Sequence, residues 1–131
     1  MQIKCRAVVK GSGNGETVVT KQAINFLTMV DLKSGIVTDE KHELYKKSLA
    51  NKILVFPNAI GSSVGAYSIY TLKINNVAPK AVICKKADIA TASGCAIANI
   101  PLVDKPDGNI FSIKSGSMVK IDASKNLIEV S

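Results

Sequence analysis

Two short apolar runs, in "KILVFP" (52–57) and "KAVICKK" (80–86), limit what this chain can fold into more than any other feature. Neither run alternates, so each is expected to be a strand buried on both faces, inside a sheet that is covered on each side. Pro57 ends the first run, because proline cannot continue an interior ladder. Between the runs the apolar residues change period. Ala66, Ile69, Tyr70, Leu72 and Ile74 fit a helix of roughly three turns beginning near Ser62. Asn75-Asn76, with Pro79 just beyond, supplies its stop. A strand, a helix and a strand within 35 residues make one crossover unit, expected to be right-handed.

The rest of the chain reads as strand-rich. "QIKCRAVV" (2–9) predicts one strand, and "GSGNG" (11–15) a turn or flexible loop. "TVVT", "INFLTMVD" and "IVTD" read as extended pieces around turn chemistry at "DLKSG" (31–35), while 40–50 is open between a short helix and a loop. "DIATASGCAIANIPLVD" (88–104) predicts a short helix or tight turn and then a brief strand. The segment from Ile110 to Ser131 alternates and predicts β-structure broken at "SG" and "ASKN". Many strands and one main helix point to a β-rich barrel or sandwich with a helix layer, as a single domain over 1–131.

Composition removes several function classes. Net charge is +7, but Arg6 is the only arginine, and the lysines are spread along the chain without interleaved stacking aromatics. Base readout and phosphate forks favour arginine, so a solvated surface, an anionic small substrate or an acidic partner fits better than nucleic acid. No apolar run reaches the length of a membrane span, and lysines interrupt the first residues where a signal peptide would be apolar. A cytoplasmic protein is expected. Cys5, Cys84 and Cys95 are an odd, widely spaced set and His42 is the one histidine. No metal site or iron–sulfur cluster is expected from this chain alone, since both need several converging ligands.

At the junction between the first strand and the helix, Gly61-Ser62-Ser63, two features that favour ligand binding converge. Ligands of α/β crossovers bind beyond the carboxyl ends of strands. A helix N-terminus adds free N–H groups and a positive dipole end. A serine there can bind an oxyanion or be stabilised as an alkoxide base, and Gly61 and Gly65 let backbone and substrate approach. The simpler reading is that one of the serines only caps the helix. The pattern lacks the spacing of a serine-hydrolase elbow and of a P-loop.

"Gly-Ser-Ser" between an interior strand and a helix resembles the swivelling small domain of the aconitase superfamily. The aconitase and isopropylmalate isomerase motif continues Arg-Glu-His, whereas this chain continues Val64-Gly65-Ala66. That departure points to the aconitase X branch. "LVFP", "GSSVGAY", "APKAVI" and "IPLVD" are its most specific pieces, and the likeness covers residues 10–122.

The resemblance implies a swivelling β/β/α barrel and a small subunit of a hydro-lyase. Its expected reaction is loss of water from 5-phosphomevalonate to give trans-anhydromevalonate 5-phosphate. Alternatives are another hydroxy acid of the hydroxyproline type, or a lysine-rich binding module outside enzymology. The resemblance implies that a large catalytic subunit holds a [4Fe–4S] cluster, and that Ser62 is the proton acceptor. Gly61, Ser63 and Gly65 are the implied substrate contacts, and the arginine that binds a substrate carboxylate in aconitase is missing. The family pattern predicts small residues where Thr28 and Met29 stand. His42 reads as a satisfied loop or interface residue.

Overall fold

The two apolar runs form the middle of an eight-stranded sheet. In the computed structural model, which describes residues 1–131, the strands are β1 (Gln2–Lys4), β2 (Arg6–Val9), β3 (Ser12–Val19), β4 (Ile53–Phe56), β5 (Ala81–Cys84), β6 (Leu102–Asp104), β7 (Met118–Asp122) and β8 (Leu127–Val130). Helix α1 (Val64–Ile74) joins β4 to β5, and α2 (Ile89–Ala98) joins β5 to β6. The strand order is β1-β8-β7-β3-β4-β5-β6-β2. From β3 to β6 the neighbours are parallel, and the remaining pairs are antiparallel.

Successive residues of β4 and β5 face two different cores. Leu54, Phe56, Val82 and Cys84 pack under the helices with Ile69, Leu72 and Cys95. Ile53, Val55, Ala81 and Ile83 face the other way, against Ile110, Val119, Ile121 and Ile128. All eight strand residues are buried, which is why neither run alternates. The helices meet closely at Gly94, where an added Cβ would lie 3.1 Å from the Ala66 carbonyl oxygen and 2.9 Å from Ile69 Cδ1. The expected barrel with a helix layer is borne out, and that layer is a pair of similar helices rather than one main helix.

The ends of the strand order meet in the chain. β1 and β2 are separated only by Cys5, so the sheet returns upon itself. The expected single strand over 2–9 is therefore two, one paired to β8 and the other to β6. Asn126 bridges the break: its carbonyl accepts from Cys5 N and its Oδ1 from Ala7 N, both at 3.0 Å. Arg6 and Asp104, opposite one another in the β2–β6 register, clasp the join through two hydrogen bonds of 2.8 Å. Burial opposes ionisation of Asp104. The Arg6 fork and the Ala87 amide outweigh it and hold the carboxyl below the ordinary value of 3.8.

Several expectations are corrected. Residues 11–15 are not a loop: Ser12–Glu16 form a ladder with β7, and those cross-strand hydrogen bonds outweigh glycine's preference for turns. "INFLTMVD", "IVTD" and 40–50 form no strand or helix. They belong to a turn-rich excursion tied by single bridges, Ile24 to Ala59, Val30 to Val37 and Ile36 to Ser48. Side chains there take the amides a ladder would use: Asn25 Oδ1 accepts from Leu27 and Thr28, Asp31 Oδ1 from Lys33, and Asp39 Oδ1 from Lys41. The β-branched and aromatic residues of this segment serve burial, with Ile24, Phe26, Val30 and Val37 joining the helix-side core. Residues 110–112 form a single 3-10 turn ahead of β7, and 123–125 form another that joins β7 to β8.

Asp104 yields a pH prediction. Its pKa is lower folded than unfolded, so its contribution to stability is whole above 3.8 and lost as pH falls through the depressed folded value. Urea melts at a series of pH values should show Asp104→Asn less stable than the parent at neutral pH, with the two curves converging in acid. Parallel curves would show that the clasp does not contribute.

Candidate active site

Because β3, β4, β5 and β6 run parallel, their carboxyl ends open onto one rim of the barrel. The chain leaves β4 through Pro57–Ile60 and reaches Gly61-Ser62-Ser63 before entering α1. Gly61 has φ of +102°, and a Cβ built there would lie 2.6 Å from Asn25 Nδ2. Only glycine fits both the backbone angle and the neighbour.

Ser62 and Ser63 are both exposed on this rim. Ser63 occupies the N-cap position with helical dihedrals (φ −59°, ψ −13°), and its side chain makes no capping hydrogen bond. Ser62 Oγ accepts from Val64 N at 3.3 Å, a long contact that leaves the hydroxyl proton uncommitted. The Ser62 and Ser63 amides bond to nothing within the chain. Gly65 is buried within α1, and an added Cβ would meet Ala90 at 3.6 Å, so it faces α2.

Asp88 holds the turn to the second helix. Its Oδ1 accepts from Ala59 N at 2.8 Å and from Thr91 Oγ1 at 2.8 Å, while Oδ2 caps α2 through Thr91 N at 3.0 Å. Sequence reasoning missed this residue, although Asp-x-x-Thr before a small apolar run is an N-cap signal. Asn25 was missed too. Its place beside Gly61 depends on the Ile24–Ala59 bridge and on Phe26 packing edge-on against Phe56 at 5.7 Å. Thr28 and Met29, where small residues were expected, lie in this same turn and bond to Asn25 through Thr28 N and Met29 Sδ.

The rim is basic. Lys85, Lys86 and Lys105 are exposed where β5 and β6 end, beside clefts of about 450 Å³ (Lys85, Lys105, Asn109, Phe111) and 380 Å³ (Pro57, Asn58, Lys86, Asp88). None of the three has a carboxylate partner, since the two ion pairs are Arg6–Asp104 and Lys52–Glu16. Asp88 and Asp104 spend their oxygens on amides, Thr91 and Arg6. His42 is buried in the turn-rich segment, where Nε2 meets the Ala23 carbonyl at 3.2 Å and Nδ1 accepts from Leu44 N at 3.0 Å. Both ring nitrogens are thereby used, as expected of a satisfied loop residue.

The thiols do not fit a metal cluster. Burial, with the negative field of Asp88, pushes Cys95 up to about 12, and burial raises Cys84 well above its ordinary range. Burial and then Asp104 raise Cys5 to about 11. Metals bind thiolates, and no three Cys, His, Asp or Glu side chains converge on one point.

Fold and rim together define a small swivel-type α/β barrel that presents a serine at an open strand-to-helix turn. The chain belongs to the aconitase X swivel domain family, which matches residues 2–130. The likeness thus reaches beyond the 10–122 expected. It is 43% identical over 130 residues to the phosphomevalonate dehydratase small subunit of Thermococcus kodakarensis, covering 99% of this chain and 96% of that one. The corresponding subunit of Methanococcoides burtonii is 42% identical over 131 residues, with the same coverage. The fold superposes on the crystal structure of Thermococcus kodakaraensis aconitase X (holo-form) with a TM-score of 0.95 and 42% identity, covering 100% of this chain and 98% of that chain.

Gly61→Ala should cost about 1–3 kcal/mol through strain at a left-handed backbone, with the added methyl displacing the Asn25 amide. Denaturant melts of the two proteins measure it, and equal stability would mean the turn relaxes freely.

Proposed function

We propose that this chain is the small subunit of a phosphomevalonate dehydratase, completed by a large catalytic subunit, and that Ser62 is its proton acceptor. The observation that supports it most is the exposed Ser62 hydroxyl at the α1 N-terminus, on a fold 0.95 in TM-score from aconitase X. Relatives bearing that name match the chain at about 40% identity from end to end.

The chemistry follows from the turn. Ser62 Oγ takes the proton from the carbon next to the substrate carboxylate, the C–H electron pair becomes the C=C bond, and the neighbouring carbon loses hydroxide, which together with that proton makes up the water lost. An ordinary serine is too weak a base for this. The Val64 N–H already directed at Oγ and the positive end of α1 both favour the alkoxide. The free Ser63 amide and the bare Gly61 backbone give the substrate close access, and Gly65 lets α1 settle against α2 behind them. The unpaired lysines of the rim supply a positive field for a substrate that carries both a carboxylate and a phosphate.

The site is open to water in this chain, and deprotonation next to a carboxylate needs a closed one. The large subunit supplies that cover, together with the [4Fe–4S] cluster for which this chain has no ligand set.

The test is anaerobic dehydration of 5-phosphomevalonate by the assembled two-subunit enzyme. Ser62→Ala should lower kcat by roughly 10²–10⁴-fold while the subunits still co-elute. Unchanged kcat would move the base to the partner, and an inactive but well-assembled parent would mean another hydroxy acid.

A further inference from the structure

Asn25 comes off the carboxyl end of β3 and lies against the turn that carries Ser62. One half of its side-chain amide is occupied. Oδ1 accepts from Leu27 N at 3.1 Å and Thr28 N at 3.2 Å, and two N–H donors require the oxygen there, which fixes the orientation of the amide. The residue's backbone is held as well, with Asn25 N on Met29 Sδ at 3.3 Å and Met29 N on Asn25 O at 2.9 Å.

The other half is unspent. Nδ2 is the side-chain atom nearest the turn: a Cβ on Gly61 would lie 2.6 Å from it, against 3.1 Å for Cγ and 3.4 Å for Oδ1. It donates to no group of the chain. The Asn25 and Ser62 segments are locked in register by Ile24 N on Asn58 O at 3.3 Å and Ile60 N on Ile24 O at 3.0 Å. A rigid donor pair is thereby held one residue away from the candidate base.

The turn itself does not need that donor. An Asx-type turn uses only the side-chain oxygen, for which aspartate serves as well as asparagine. What asparagine adds is a neutral N–H donor where aspartate would place a negative charge. A donor held against the turn whose next residue takes a proton beside a carboxylate faces the end of the substrate that carries that carboxylate. It also strengthens as the proton leaves, because the developing charge spreads onto the carboxylate oxygens.

We propose that Asn25 is a substrate-orienting residue whose Nδ2 donates to the carboxylate of the hydroxy acid bound at Ser62. The proposal rests on the reading of Ser62 as the base. It makes the turn after β3 the second wall of the site and Asn25 the determinant of its preference for a carboxylate at that end.

Asn25→Asp is the discriminating variant, since it keeps the turn's acceptor and replaces the donor by an anion of the same shape. In the assembled enzyme, with melts and subunit co-elution matching the parent, kcat/KM should fall at least about 100-fold, the scale of losing one donor to a developing oxyanion. The deficit relative to the parent should then narrow about tenfold per unit of falling pH, as the aspartic acid protonates and can donate again. Asn25→Ser retains a turn oxygen on a shorter side chain and should show a similar loss without the pH recovery, which keeps the test open if the first variant fails to assemble. Parent-like kcat/KM in an assembled variant overturns the proposal. An active Ser62→Ala overturns the base reading instead, and a dead Ser62→Ala beside an unimpaired Asn25→Asp overturns only the role given to Asn25.

Discussion

β4 and β5 have no access to solvent on either face, and the rest of the structure arranges itself around that fact. A strand apolar on both sides has to be sandwiched, so the two crossovers that follow β4 and β5 place α1 and α2 over one face while the β7–β8 hairpin closes the other. Parallel pairing then sends every strand from β3 to β6 toward the same rim. The turns that leave this rim carry Asn25, Ser62, the lysines and Asp88. The core therefore decides where chemistry can occur before any polar residue is considered.

What stands at the rim is prepared but incomplete. Ser62 has a donor aimed at its oxygen, its turn is braced from one side by Asp88 and from the other by Asn25, and the surrounding charge is positive and unpaired. The same rim is open to solvent, while Cys84 and Cys95 are buried in one core with their thiols pushed up, and Cys5 is half-buried at the barrel join. A rigid half-site of this kind suits a domain that closes against a second body. Barrel closure at Cys5, clasped by Arg6 and Asp104, holds the rim in one shape.

Local pattern was a good guide where burial or a cap dominates. The two central strands, α1 with its stop at Asn75-Asn76, the short helix at 88–98 and the serine turn all follow from periodicity and punctuation. It misled where long-range pairing overrides propensity. Gly11–Gly15 reads as a loop, yet the β7 ladder makes most of it strand. "INFLTMVD" reads as strand, yet Asn25 and Asp31 bind the amides that a ladder would need, and its apolar residues fill the helix-side core. The likeness to the aconitase X branch pointed to Ser62, but no pattern pointed to Asn25 or to the double role of Asp88.

The sequence by itself determined the sandwiched pair of strands, the crossover between them and the serine at its head. Each depends on residues near one another in the chain, through burial period, helix propensity and turn chemistry. Only the tertiary structure decided that the first strand divides at Cys5 to close the barrel, and that Asn25 lies against Gly61. Those contacts join residues 36 or more positions apart, as Asn25 to Gly61 and Arg6 to Asp104 illustrate. Strand register and packing set such distances, and no local preference encodes them.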